Sequence, residues 1–188
     1  MPKVNWSDVE EKRGGGVTNP PSGAYKCVIT SATTQRSKEK KVLQLVIVWD
    51  IADGEYADAF ENAPASIGWK HGDNLNLEGK GLGITKHKMH ALADANPGFK
   101  PTASIDADRW QDFEGKTCYL LVQAEITTYQ GRDSYRYYVR DWLSPEEFRA
   151  GDFKVPGDID KREASPSPAP VAAPAPAQPA LYDNDIPF

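Results

Sequence analysis

Cysteine is scarce in this chain. Only Cys27 and Cys118 occur, each inside an apolar, strand-like run. Two thiols so placed read as buried and reduced, which excludes a small cross-linked secreted scaffold. Neither has a neighbouring base that would make it a nucleophile. No stretch approaches membrane-span length, and the polar N-terminus lacks a signal-peptide core. The expectation is a soluble, cytoplasmic protein with no membrane contact. Histidine numbers three. His87 and His90 could share a metal with His71, but no Cys or acid stands at ligand spacing, so a solvated helix face is the better reading and no cofactor is expected. The glycine-rich stretch Gly79–Gly83 lacks the Gly-Lys-Ser/Thr ending that cradles phosphate, which excludes nucleotide hydrolysis. Asp106, Asp108 and Asp112 lack the partner groups of a metal-dependent nuclease and read as a polar loop. No enzyme is expected. Basic charge is also short, with 22 Lys and Arg against 27 Asp and Glu, a formal net charge of −5. That balance counts against nucleic-acid binding unless the charges are segregated.

Asp183 and Asp185 account for two of the acids, which leaves 22 basic against 25 acidic residues ahead of them. From Ala164 to Ala180 the chain is almost wholly Pro, Ala and Ser without charge, a composition that cannot pack a core and reads as a disordered, semi-rigid spacer. The organisation expected is a flexible arm over 1–22, one folded domain over 23–155, a Pro/Ala-rich linker over 156–180 and a tip over 181–188. Gly14-Gly15-Gly16 and Asn19-Pro20-Pro21-Ser22-Gly23 supply the turn chemistry that separates arm from domain.

Within the domain, residues 25–33 and 117–128 are rich in β-branched side chains and read as strands. Residues 42–49 are the most apolar run and read as a central strand with Trp49 in the core. Phe60, Ile67 and Trp69 are candidates for a third strand. Residues 84–94 look helical, with Ile84, Ala91, Leu92 and Ala95 on one side and Asn96-Pro97-Gly98 as the stop. After a turn at 129–133, residues 134–142 return as the hairpin partner of the fourth strand, and Glu146-Glu147-Phe148 forms a short helix. This order suits a mainly β fold, an OB-like five-stranded Greek-key barrel with one helix between strands three and four, followed by the disordered tail.

Single strands of nucleic acid are bound by stacking bases on aromatic rings beside cations that follow the phosphates. The last hairpin has that composition. Strand alternation puts Arg136, Tyr138 and Arg140 on one face and Tyr135, Tyr137 and Val139 on the other. Tyr129 and Arg132 sit at the turn. A second basic cluster, Arg36, Lys38, Lys40 and Lys41, occupies the connection between the first two strands; alone it reads as a solvated charge run.

The tip Asp183-Asn184-Asp185-Ile186-Pro187-Phe188 joins acids to an apolar anchor. Phe188 and Ile186 can enter an apolar pocket with a basic rim, Pro187 holds the peptide extended, and Asp183 and Asp185 meet further positive charge. It resembles the acidic C-terminal tip of bacterial single-stranded DNA-binding proteins, with Asn184 in place of an Asp. The body is similar instead to a family of phage-encoded, single-stranded DNA-binding-type proteins, on Trp6 with Val9-Glu10-Glu11, Gly14-Gly15-Gly16, Pro21-Ser22-Gly23-Ala24-Tyr25 and Phe113-Glu114-Gly115-Lys116. The resemblance implies a protein that coats single-stranded DNA with little sequence preference and recruits replication, recombination or repair proteins through Asp183, Asp185, Ile186, Pro187 and Phe188. The DNA surface it implies is Tyr129, Arg132, Arg136, Tyr138 and Arg140, with Arg36, Lys38, Lys40 and Lys41 second. A homo-oligomer is compatible with it. The alternative is an adaptor that engages host replication factors through the tip without binding DNA, which the acidic body favours.

Overall fold

The computed structural model describes residues 19–60, 70–129 and 132–162. The arm up to residue 18, Ile67, Trp69, the linker beyond 162 and the whole tip, including Asp183, Asp185, Ile186, Pro187 and Phe188, lie outside the described residues.

Six strands and three helices follow the order β1 (Gly23–Arg36), β2 (Leu43–Ile51), β3 (Lys70–Asn76), α1 (Leu82–Ala95), α2 (Pro101–Asp106), β4 (Thr117–Tyr129), β5 (Arg132–Leu143), α3 (Pro145–Ala150) and β6 (Ile159–Asp160). The sheet runs β1-β2-β3-β5-β4 and closes by pairing β4 with β1. Neighbours are antiparallel except β3 and β5, which run parallel through Lys70–Arg136 and His71–Tyr137. The result is a closed, five-stranded OB-like barrel. Closure requires bent strands. Bulges supply the bends, between Ile29 and Ser31 where β1 meets β2, and between Leu121 and Val122 where β4 meets β5.

Alternation along each strand fills the barrel. Leu45, Ile47, Trp49, Cys27, Ile29, Leu120, Val122, Ala124 and Tyr137 point inward and are buried. Cys27 and Cys118 stand directly opposite each other on β1 and β4, both reduced. Phe60 precedes β3 and packs in the core, its ring stacked on His71 (4.4 Å between centroids) and set edge-on to Trp49 (5.2 Å).

Phe60 lies in a turn ahead of the third strand and not on it. That strand is Lys70–Asn76, a polar run in which only Leu75 is aliphatic. Its inward positions need little apolar character because His71 stacks on Phe60 and Asp73 is neutralised inside. Asp73 Oδ2 receives the Lys88 ammonium (2.5 Å) and the Trp142 indole N–H (2.7 Å). That cluster ties α1 to both β3 and β5, where strand pairing among the described residues amounts to two residue pairs. It also sets the rotation of α1. Thr85, Lys88, Met89, Ala91 and Leu92 are its buried residues, whereas Ile84, expected on the packed side, is 65% exposed. Lys88, beside His87 on the helix face expected to be solvated, is turned inward by its carboxylate partner.

The chain enters α1 through a 3-10 turn at Gly79–Gly81. A side chain at position 81 would collide with Asn76, so glycine is required there. Ser144 and Glu147 form a reciprocal capping box on α3, which ends at Gly151 in the left-handed region. Asp112 accepts from Ser104 (2.6 Å) and pairs with Arg109, fixing the loop that carries Asp106 and Asp108.

Composition assigns residues 156–162 to the linker, but they run along the barrel. β6 pairs in parallel with β4 at Glu125 and Ile126, continuing the edge that β1 leaves after Gly23 pairs with Val122. Gly157 accepts from Gln123 (2.7 Å), Asp158 from the Ser22 amide (2.7 Å), and the Lys161 amide donates to Ile126 (2.7 Å). Backbone pairing and single polar contacts hold this strap, so its apolar content gave no sign of order.

Candidate nucleic-acid interface

The outward residues of β2, β3 and β5 form one surface. Register sets Val46 beside Asn74 and Val48 beside Gly72, while Arg136 pairs with Lys70 across the parallel step. Between them lies an open concavity of about 480 Å³ lined by Val48, His71, Gly72, Asn74, Arg136, Tyr137 and Tyr138. Its floor is open at Gly72, which has no side chain; a Cβ there would stand 3.2 Å from the Ile47 carbonyl oxygen. In an OB barrel this strand 2–3 face, flanked by the β1–β2 and β4–β5 connections, is the surface open to oligomeric ligands.

Arg136, Tyr138 and Arg140 project outward from β5 as alternation requires, while Tyr137 is buried and Tyr135 and Val139 pack against the core. Tyr138 is 37% exposed. Its hydroxyl donates to Glu125 Oε1 (3.4 Å), and the Arg140 guanidinium lies 5.5 Å from its ring centroid. Arg140 also donates through Nε (2.7 Å) and Nη2 to Gln123 Oε1, which fixes its head on the strand. Arg136 is exposed and directly opposite Glu125 in the β4–β5 ladder.

Glu125 is an unexpected member of this surface. It sits on the outward side of β4, yet it is only 4% exposed. Lys161 of the strap reaches it at 2.6 Å. That bond, helped by Arg136 and the Tyr138 hydroxyl and opposed by burial, holds the carboxyl below its usual range.

Tyr129 and Arg132 form the last backbone pair of the β4–β5 hairpin. The other basic cluster is split. Arg36 donates to the Lys41 carbonyl (2.7 Å) and pairs with Glu78 (3.2 Å), which also accepts from the Leu43 amide (2.7 Å), so it braces the base of its loop. Lys38, Lys40 and Lys41 are exposed, Lys41 with a left-handed backbone (φ 56°). Register puts this loop beyond the Gln44–Asn76 pair at one end of the face, and the hairpin turn beyond Lys70–Arg136 at the other. The two expected clusters therefore bracket one surface rather than forming a single patch.

Val48, Gly72 and Asn74 were not singled out by sequence. The signal available was the period-two pattern His71, Asp73, Leu75 against Gly72, Asn74, Asn76, visible only once 70–76 is read as a strand. His87 lies 3.4 Å from Asp141 across α1 and β5, while His71 belongs to the aromatic core, and among the described residues no three His, Cys, Asp or Glu side chains are grouped to hold a metal. Among the described residues no helix is long and apolar enough to cross a membrane. The fold and this face define the class, an OB-like barrel with an open, cation-flanked outer surface. No protein-family model matches the chain, and no curated protein matches its sequence.

Proposed function

We propose that the chain binds single-stranded DNA across the β2–β3–β5 face, without catalysis and with little sequence preference. The observation that carries this reading is the concavity between Val48, Gly72, Asn74, Arg136 and Tyr138, with an exposed tyrosine beside two arginines and a lysine-bearing loop at one end. An open floor and an aromatic wall admit any base by its π-face, and the cations meet phosphates. Tyr138, Arg136 and Arg140 are the central contacts, with Lys38, Lys40 and Lys41 at one end and Tyr129 and Arg132 at the other. Residues 183–188 recruit replication, recombination or repair proteins through their apolar anchor and acids.

A net charge of −5 favours a second reading, in which the barrel binds no DNA and the chain is an adaptor working through its tip. Titration with oligo(dT) and with duplex, followed by tryptophan fluorescence at two salt concentrations, separates the two. Single-strand binding that salt weakens, with little for duplex, supports the DNA reading. Absence of binding at low salt overturns it in favour of the adaptor. Removing residues 183–188 should preserve or raise DNA affinity while abolishing capture of partner proteins; a large loss of DNA affinity would overturn that division of labour.

A further inference from the structure

The strap that ends the described chain places a cation where the face needs one. Glu125 carries a carboxylate into a nearly closed position directly behind Arg136 and Tyr138. A carboxylate that far from water requires a cationic partner. Lys161 fills that role at 2.6 Å, and its position is fixed by backbone, since its amide donates to the Ile126 carbonyl (2.7 Å) and β6 pairs with β4 immediately before it. The next cation is Arg136, the cross-strand neighbour of Glu125. Directly opposite side chains on an antiparallel pair are close enough to interact. The charge of Arg136 already helps hold the Glu125 carboxyl down, but the direct ion pair to that carboxylate is made by Lys161.

We infer that Lys161 is a positioning residue of the DNA-binding face: by serving as counter-ion to Glu125, it leaves the Arg136 guanidinium and the Tyr138 ring turned toward the ligand. This rests on the single-strand reading above. Without Lys161 the buried carboxylate recruits Arg136, and one central cation turns from phosphate to Glu125. The strap, which lies outside the β2–β3–β5 face, thereby sets how many cations that face presents.

The test is a double-mutant cycle on the full chain, titrating oligo(dT) against wild type, Lys161→Met, Glu125→Gln and the double variant. Lys161→Met in the wild-type background should weaken binding about tenfold, a coupling ordinary for contacting charges. In the Glu125→Gln background the same substitution should change affinity by less than about twofold, because no buried carboxylate remains to recruit Arg136. If Lys161→Met alone fails to fold, Lys161→Arg replaces it in the wild-type background, where keeping the counter-ion should hold affinity within about twofold and a tenfold loss overturns the inference. A Lys161 that touches phosphate directly would lose affinity equally in both backgrounds and lower the salt slope by about 0.7 in each, which overturns the inference. Equal affinity for all four proteins overturns it as well. A wild-type chain that does not bind oligo(dT) sinks the DNA reading and this inference with it, whereas a wild type that binds without coupling sinks this one alone.

Discussion

Replacing Asp73 with Ala tests the cluster that closes the barrel between β3 and β5. The carboxylate and the Lys88 ammonium are 13% and 11% exposed, and one oxygen, Oδ2, serves both Lys88 and the Trp142 indole. Removing one partner of a buried ion pair costs about 3–5 kcal/mol, because the survivor keeps its desolvation penalty. Residual exposure favours the lower half of that range, and the orphaned indole N–H adds about 1 kcal/mol. A total near 4 kcal/mol is a large share of the roughly 5–15 kcal/mol that holds a domain together. At about 2–4 °C per kcal/mol for a body of this size, Tm should fall by roughly 8–16 °C. Urea unfolding followed by tryptophan fluorescence and far-ultraviolet circular dichroism measures the loss directly. Asp73→Asn keeps an acceptor for the indole and should cost less than Asp73→Ala. Asp73→Leu with Lys88→Met together should recover most of the stability, since a buried pair is often replaceable by apolar groups of similar volume. A loss below about 1 kcal/mol for Asp73→Ala would refute the reasoning, because it would mean that Lys88 is solvated in the folded protein.

On the binding face, Tyr138→Ala should lower oligo(dT) affinity by about 1–3 kcal/mol, the worth of one stacked base, and Arg136→Ala should reduce the salt slope by about 0.7; unchanged titrations for both would exclude this face. Acid should loosen the strap and α3 before the barrel. Pairing with Lys161 lowers the Glu125 carboxyl, bonds to Ser144 lower that of Glu147, and Arg162 lowers that of Asp160 to about 2. Each depressed carboxyl contributes stability that is present above its unfolded value near pH 4 and lost as pH falls through its folded value. Protection of the Lys161 and Glu147 amides from exchange should therefore fall between about pH 4 and pH 2, and constant protection over that range would contradict the assignment. Burial pushes both thiols upward. Cys27 and Cys118 should resist an aromatic disulfide reagent at pH 8 and react once denaturant is added; fast reaction of the folded protein would show the β1–β4 seam to be open.

The barrel was legible where strands carry their own apolar alternation. Residues 25–33, 117–128 and 134–142 each lie within an observed strand, 42–49 does so from Leu43 onward, and the outward trio Arg136, Tyr138 and Arg140 follows from period two alone. β3 was not legible, because its inner positions are satisfied by groups distant in sequence: Phe60 for His71, and Lys88 with Trp142 for Asp73. The same long-range pairing rotates α1, so a helix read from its apolar residues comes out turned, with Ile84 inward instead of Lys88. β6 is two residues long and held by backbone, which composition cannot register. The floor of the site was hidden with β3, since Gly72 and Asn74 matter for the space they leave.

Arg162 is moored to Asp160 and reaches Asp133 on β5 at 3.2 Å, beside the hairpin turn. Whatever follows residue 162 is thus paid out from the rim of the β2–β3–β5 surface and not from the pole covered by α1. For a tether the local density of its free end falls roughly as the −3/2 power of tether length. Under the proposed function, shortening the Pro/Ala spacer should raise how often a partner held at 181–188 visits a strand on that surface, and lengthening it should lower the visiting rate. A circular permutant that relocates the mooring to the α1 pole would keep every side chain and lose the proximity.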